Sequence, residues 1–449
     1  MAEEVDRVAA GLGGYLNRDE QQVAGLLFAN GWEFVVAYLA ILQTGHIALP
    51  LDPTYKELEL NAVVEQVEPE LIISDCAYRT KLSQGKTVLM DELQKPDGKV
   101  HKLRLGPEKQ IASLTFTSGT TGRPKLAPYT HANHIWNIIV CSKVWGWTAK
   151  DSLLLSLPLS HWYGLVMGLS GALYHGNTLY IDEWFDPAAS LRTLASGKIS
   201  MFTHFPLAYL EMLQTNPAEK YDLSKVRVMI SGGAPLPPGT AHQFKQRFGA
   251  DILETYGSSE SGRIAANTAA DHQSGSPGSV LPGVNLKLSS SGEVLIKSPG
   301  VFPGYFHNPA ATRKNLDADG WWHTGDIGKL EGRRLFLKGR VQEKIRRFGY
   351  SLSPRDIEWA LLKFNKISAV HVMGRQRPDQ PNDELIYFVN GDASVEEIRM
   401  FCKANLPYAW RSDRIIIMDT IPKTRSGKTR LTALQSLLEE QQLVTGGGH

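Results

Sequence analysis

The chain has 449 residues, 42% of them apolar and 21% charged, enough to bury a large core and too hydrophobic for a disordered segment. Its 48 basic and 46 acidic residues leave a net charge of +2, so no field of one sign draws it to nucleic acid or an anionic membrane. Cys76, Cys141 and Cys402 form no C-x-x-C, which excludes a zinc knuckle or disulfide framework and suits a reducing, cytoplasmic compartment. The opening residues lack the basic and apolar regions of a signal peptide, and the longest apolar run, Phe34 to Leu42, is too short for a membrane span.

From about Val23 to Gly257, short apolar runs alternate with amphipathic stretches. VAGLLF, IALPLD, LIISD, IASLTF, SLLLSL, TLYI, SMFTHF, VRVMIS and ADILETY read as strands. WEFVVAYLAILQTG, ELELNAVVEQV, HANHIWNIIVCSKVWG, GLVMGLSGALYHG, PLAYLEMLQ and AHQFKQRFG read as helices. That alternation predicts an α/β fold of mainly parallel sheets covered by helices. After Gly257 the turn-rich GSPGSVLPG and the strands EVLIKS and RLFLKG predict a β-rich subdomain. Past Arg340 a helix from Pro354 to Phe364, strands SAVHVMG and LIYFVN, the helix VEEIRMFCKANL and a strand RIIIMD predict a small α+β domain. The division expected is residues 1–340 for the large domain and 341–449 for a small mobile one, ending in a Gly-rich tail.

Several common signatures fail. Gly427-Lys428-Thr429 resembles the end of a Walker A loop, but its first position is Pro422. Gly257-Ser258-Ser259-Glu260 is no nucleophile elbow, because position 261 is serine. His131 and His134 lack the glutamate of H-E-x-x-H and read as helix-facing or cap residues. What remains is LTFTSGTTGRPKL, Leu114 to Leu126, a strand running into hydroxyls, glycines and a lysine. In it Gly119 and Gly122 let backbone N–H groups approach phosphate, Thr117, Ser118, Thr120 and Thr121 add donors, and Lys125 adds a charge.

This segment resembles the phosphate-binding signature of the adenylate-forming superfamily, which includes acyl- and aryl-CoA synthetases, nonribosomal peptide synthetase adenylation domains and beetle luciferases. Seven further motifs match in order: GHIALPLDPTY (45–55), LPLSHWYG (157–164), SGGAPLP (231–237), ETYGSSESG (254–262), GWWHTGD (320–326), GRVQEKIRRFGYSLSPRDIE (339–358) and PKTRSGKTR (422–430). The resemblance implies an enzyme that converts a carboxylic acid and ATP to an acyl-adenylate and pyrophosphate, then passes the acyl group to a thiol. It places Gly233, Ala234 and Pro235 along the adenine with Tyr256 stacked on the base, and Glu254, Gly257, Ser258 and Ser259 around the nucleotide. Ser259 stands where threonine is usual. Glu260 would bind Mg²⁺ at the phosphates, Asp326 would accept from the ribose hydroxyls, and Arg340 would contact ribose or phosphate.

The resemblance further implies that Lys428 bridges carboxylate and α-phosphate during adenylation. The small domain would then turn about Gln342, where Asp or Lys is usual, to present Phe348, Gly349 and Tyr350 to the thiol. Leu126 replaces the usual glycine, and the chain reads as a version shortened at its N-terminus. The place of the aspartate that pairs with an α-ammonium is taken by Trp162, which implies a fatty or aryl acid and no α-amino acid. His161 would gate the carboxylate entrance, and Trp162, Tyr163, His204, Phe205, Ser231 and Gly232 would line the acid pocket. With no phosphopantetheine attachment pattern after Arg430, the acceptor is CoA or the phosphopantetheine of a discrete acyl carrier protein. The other function class is a catalytically silent nucleotide-binding homologue, suggested by Leu126, Gln342 and the short N-terminus.

Overall fold

The computed structural model describes every residue except Arg18, 94–109, 118–124, Gly349, 377–381, 425–426 and 446–449. The first sheet follows from short Val-, Ile- and Leu-rich runs. Its six strands lie in the order Thr87–Leu89, Leu71–Ser74, Val23–Leu27, Ile47–Leu51, Ile111–Thr117 and Lys125–Thr130. All pairs are parallel but the last, in which Lys125–Thr130 folds back on Ile111–Thr117. Every residue of Ile47–Leu51 and Leu71–Ser74 is buried, as expected of strands covered on both faces. A helix not foreseen in the sequence, Ala2–Leu12, packs on the helix Trp32–Thr44 and buries Val5, Val8, Ala9 and Leu12, one stripe at helical spacing.

The second sheet has eleven strands. Thr178–Ile181, Ser152–Leu155, Met201–His204, Val228–Ser231 and Ile252–Ser258 run parallel in that spatial order. Beyond Ile252–Ser258 the pairing becomes antiparallel through Gly262–Ala266, Gly278–Val280, Arg334–Arg340, Trp322–Glu331, Glu293–Lys297 and Asn285–Leu288. The β-rich part is therefore joined edge-on to the parallel part, with no break in hydrogen bonding. Antiparallel neighbours need only tight turns, as at 289–292, where Gly292 takes φ +81°, and at 332–333, where Gly332 takes φ +60°.

Helix His131–Trp145 begins with a reciprocal cap, in which Asn133 N–H donates to Thr130 Oγ1 (3.1 Å) and Thr130 N–H donates to Asn133 Oδ1 (3.0 Å). The segment read as one helix from Gly164 divides into a π-helix, Tyr163–Ser170, and a helix Gly171–His175. The smaller C-terminal domain has its own core, including Ile345, Ile357, Leu361, Leu385, Tyr387 and Ile398. Its three-stranded sheet comprises Ile367–Arg375, Glu384–Gly391 and Arg414–Ile417. The helix Leu431–Thr445, also not foreseen, covers this sheet by setting Leu434 and Leu438 against Ile386 and Phe388. No helix among the described residues is long and apolar enough to cross a membrane.

Candidate active site

The parallel strands Met201–His204, Val228–Ser231 and Ile252–Ser258 end side by side, and the cleft opens past their carboxyl ends, where open α/β sheets bind ligands. Glycines follow because backbone crowds there. Gly233 has φ +85°, and a Cβ on it would stand 2.9 Å from the Phe205 ring. On Gly257 a Cβ would stand 2.2 Å from Gly262 O. Ala234 and Pro235 continue this wall next to Gly233.

Three strands carry the polar end of the cleft. Tyr256 Oη donates to Asp326 Oδ2 at 2.6 Å, and Arg340 Nε donates to Asp326 Oδ1 at 3.1 Å. Asp326 and Arg340 are direct cross-strand partners, so the ion pair is fixed by register. Each Asp326 oxygen retains a free lone pair for a further donor. Glu260 follows Ser258, whose Oγ accepts from Glu260 N–H at 3.2 Å; Ser259 lies between them. Its Oε1 accepts from Tyr305 Oη at 2.9 Å, and Lys125 Nζ lies 4.9 Å from the Tyr305 ring centre. Glu254 accepts from Gly275 N–H at 2.9 Å; burial pushes its carboxyl up to about 7, against this bond and the charge of Arg355. In the phosphate segment Thr117 pairs with Lys125 in the strand register, while Ser118, Gly119, Thr120, Thr121 and Gly122 lie outside the described residues.

The acid end is aromatic. His161 Nδ1 accepts from Tyr163 N–H at 3.1 Å, so the proton of the neutral ring is on Nε2. Burial, then the charges of Lys428 and Arg263, push His161 down to about 3. Its ring meets Phe205 edge-on at 5.1 Å, and Phe205 meets Tyr163 at 5.9 Å. The Tyr163 hydroxyl is hydrogen-bonded to Thr203. Beyond that pair lies an apolar cavity of about 10 Å³, lined by Trp145, Met167 and Phe202 among others. His204 turns the other way: strand alternation sends it to the face of Phe202, on which it stacks, with Phe185 at 4.6 Å. Ser231, its cross-strand partner, shares that position in the register.

The residue missed in the sequence is Arg263. It is 2% exposed, its guanidinium carbon lies 3.9 Å from the Tyr163 ring centre and 5.5 Å from that of Trp162, and Nε and Nη2 have no hydrogen-bond partner. Gly232 lets it in, since a Cβ there would stand 2.9 Å from Nη1. An arginine opening the otherwise apolar run RIAA was the available signal.

The small domain contributes Lys428. The turn Lys423 to Thr429 closes through Thr424 N–H, which donates to Lys428 O at 2.6 Å, and Gly427 takes φ +79°. Gly427 lies against Leu207 of the helix Pro206–Leu213, where a Cβ would stand 3.1 Å from Leu207 Cβ. Lys428, itself exposed, is thereby carried next to the large domain. The surrounding protein and Arg340 lower its pKa, opposed by Glu260, Asp326 and Glu343. Phe348 stays outside, 45% exposed and 5.3 Å from Tyr408. Gln342 lies in the single turn Val341–Glu343 and Tyr350 in the strand Tyr350–Leu352; Gly349 is outside the described residues. No cluster of three His, Cys, Asp or Glu side chains among the described residues could hold a metal without a ligand's help.

The chain is 28% identical over 442 residues to a 2-succinylbenzoate–CoA ligase of Listeria monocytogenes, covering 97% of this chain and 93% of that one. It is 28% identical over 481 residues to a 4-coumarate–CoA ligase of Pinus taeda, covering 96% and 88%. The fold is that of MatB from Rhodopseudomonas palustris: at 24% identity and 97% and 93% coverage, the TM-score is 0.88 to the ATP-bound form and 0.74 to the apo form. The AMP-binding enzyme C-terminal domain matches residues 356–428. Since the AMP-binding enzyme model itself matches residues 1–306, more than half of the chain, this protein belongs to the AMP-binding enzyme family.

Proposed function

We propose that the protein is an AMP-forming acid–thiol ligase. A carboxylate oxygen of the acid attacks the α-phosphorus of ATP and the bond to the bridging oxygen breaks, releasing pyrophosphate. A thiol sulfur then attacks the acyl carbon, and AMP leaves. The observation that carries this reading is the seating of the Lys428 turn of the small domain against Leu207 of the large one, where the charges of Glu260, Asp326 and Arg340 act on Lys428. Both steps require positioning and charge compensation, which these groups supply.

In this reading Asp326, oriented by Tyr256 and Arg340, accepts from the ribose hydroxyls, and the wall Gly233 to Pro235 meets the base. Glu260 keeps one oxygen clear of Tyr305, which fits a Mg²⁺ held by one carboxylate and the nucleotide's phosphates; such an ion would neutralise charge on the phosphates. Lys428 neutralises charge between acid and α-phosphate. His161, neutral with its proton on Nε2, donates to the entering carboxylate. Trp162 stands in the sequence where a carboxylate would pair with an α-ammonium group, and the cation Arg263 beside it opposes one. The cavity beyond Tyr163 is small and walled by aromatic and aliphatic side chains, which favours a compact aryl or short-chain acid. Coenzyme A is the proposed acceptor, with the phosphopantetheine of an acyl carrier protein as the second reading. The domains divide after Arg340, which ends a strand, with Gln342 as the hinge before the core residue Ile345. Free Cys76, Cys141 and Cys402 suit a reducing cytoplasm.

With Mg²⁺, labelled pyrophosphate and a panel of acids, the protein should exchange label into ATP only when a suitable acid is present. ATP binding without exchange for any acid would replace this reading with that of a silent nucleotide-binding homologue.

A further inference from the structure

Arg263 is unusual by the ordinary rules of burial. A guanidinium removed from water is paired in most proteins, because its five donors and its charge are costly to leave uncompensated. Among the described residues Arg263 has no ion-pair partner, and Nε and Nη2 donate to nothing. The rings of Tyr163 and Trp162 offer their faces, which tolerate a cation without neutralising it. Trp162 is itself 3% exposed with Nε1 unpartnered, so a second donor is idle beside the guanidinium.

The position matters as much as the charge. Arg263 is the second residue of the strand Gly262–Ala266, opposite the irregular register at Tyr256 and Gly257, and its N–H is tied to Asn137 Oδ1 at 2.9 Å. That anchor points the side chain past Gly232 to the rings that line the acid pocket. The pocket thus has a cation at each end. Lys428 comes from the small domain, Arg263 stands behind Gly232, and the charges of both act on His161.

We propose that Arg263 is the counter-charge for a second carboxylate, so that the preferred substrate is a compact dicarboxylic acid activated at one end and held at the other. This rests on the acid–thiol ligase reading and names its substrate class. The end at Lys428 and His161 is the one that reacts. The distal carboxylate takes hydrogen bonds from Nε and Nη2, a side-on pair of donors matched to two carboxylate oxygens. Binding then completes a charge pair that the free protein lacks, and a monocarboxylate leaves the same donors unpaired.

The test is acid-dependent pyrophosphate exchange by the full-length protein. The probes are malonate, succinate, glutarate and the three benzenedicarboxylates, each against its monomethyl ester. The ester keeps the shape and a carbonyl acceptor and removes the charge. At least one diacid should exceed its ester in kcat/KM by 30-fold or more, carried mainly by KM. In R263M that preference should fall at least tenfold, and R263K should restore part of it. A wild-type preference for the esters, or monocarboxylates as the only substrates, would overturn the proposal while leaving the ligase reading intact. So would equal loss on diacid and ester in both variants, which marks a structural cation. Absence of exchange with every acid would overturn the ligase reading itself.

Discussion

His134 shows how much a single buried group can set. It is 5% exposed, Nε2 lies 3.0 Å from Ser113 Oγ, and burial, aided by the charge of His131, pushes its pKa down to about 3. The folded chain keeps this ring neutral while the unfolded chain protonates it below about 6.5. Stability that is complete above pH 6.5 is therefore lost as pH falls toward 3, by up to about 1.4 kcal/mol per pH unit, or roughly 2 kcal/mol at pH 5. Urea unfolding at pH 7 and pH 5 checks this: H134Q should lose less stability between the two than wild type, and an equal loss would place the acid sensitivity elsewhere. At this scale the local motifs were legible, because Tyr256, Glu260 and Asp326 each stand among glycines and hydroxyl residues within a few consecutive positions. What escaped depended on which way a side chain turns. His204 and Thr203 are adjacent yet face opposite sides of the sheet, and Arg263 reaches the pocket only because Gly232 has no side chain.

Among the elements, the segment Tyr163 to His175 is held by a seam of glycines. A Cβ at Gly164 would stand 2.3 Å from Pro158 O, at Gly168 2.4 Å from Leu155 Cδ1, and at Gly171 2.2 Å from Trp147 Cη2. Trp147 cannot yield easily, being 5% exposed with Nε1 donating to Asn177 Oδ1 at 2.6 Å. Gly171→Ala should therefore lower stability by about 1–3 kcal/mol despite alanine's better helix propensity. Thermal and urea unfolding measure it, and a neutral or stabilising result would show that this seam can relax. The sequence pattern showed a helix here, but not its π form. That form places Tyr163 in the pocket and arises from close packing against Leu155 and Trp147, which hydrophobic periodicity does not encode. The strand Trp322–Glu331 escaped for a related reason: its residues are mostly polar, and only pairing on both sides makes them a strand.

For the whole molecule, the decisive contact is between domains. The turn carrying Lys428 rests on Leu207 of the large domain, and Phe348 of the small one faces solvent. Under the proposed function this is the arrangement for the first half-reaction, and a rotation near Gln342 would bring Phe348 inward for the second. Lys428→Ala should cut adenylate formation by about 10²–10³-fold, the scale of removing one placed charge from a transition state. It should leave thioester formation from a pre-made acyl-adenylate within about tenfold of wild type; equal loss of both would argue against a division of labour between the two faces. The sequence by itself determined the fold class, most of the alternating strands and helices between Val23 and Gly257 and the motifs from which a nucleotide end is proposed, because these follow from local periodicity and from loop chemistry confined to a few consecutive residues. Only the tertiary structure decided the rest: the continuous eleven-stranded sheet, the face taken by His204, the seating of the Lys428 turn against Leu207 and the unpaired cation behind Gly232. Each of these is a relation between segments far apart in the chain, fixed by packing and register.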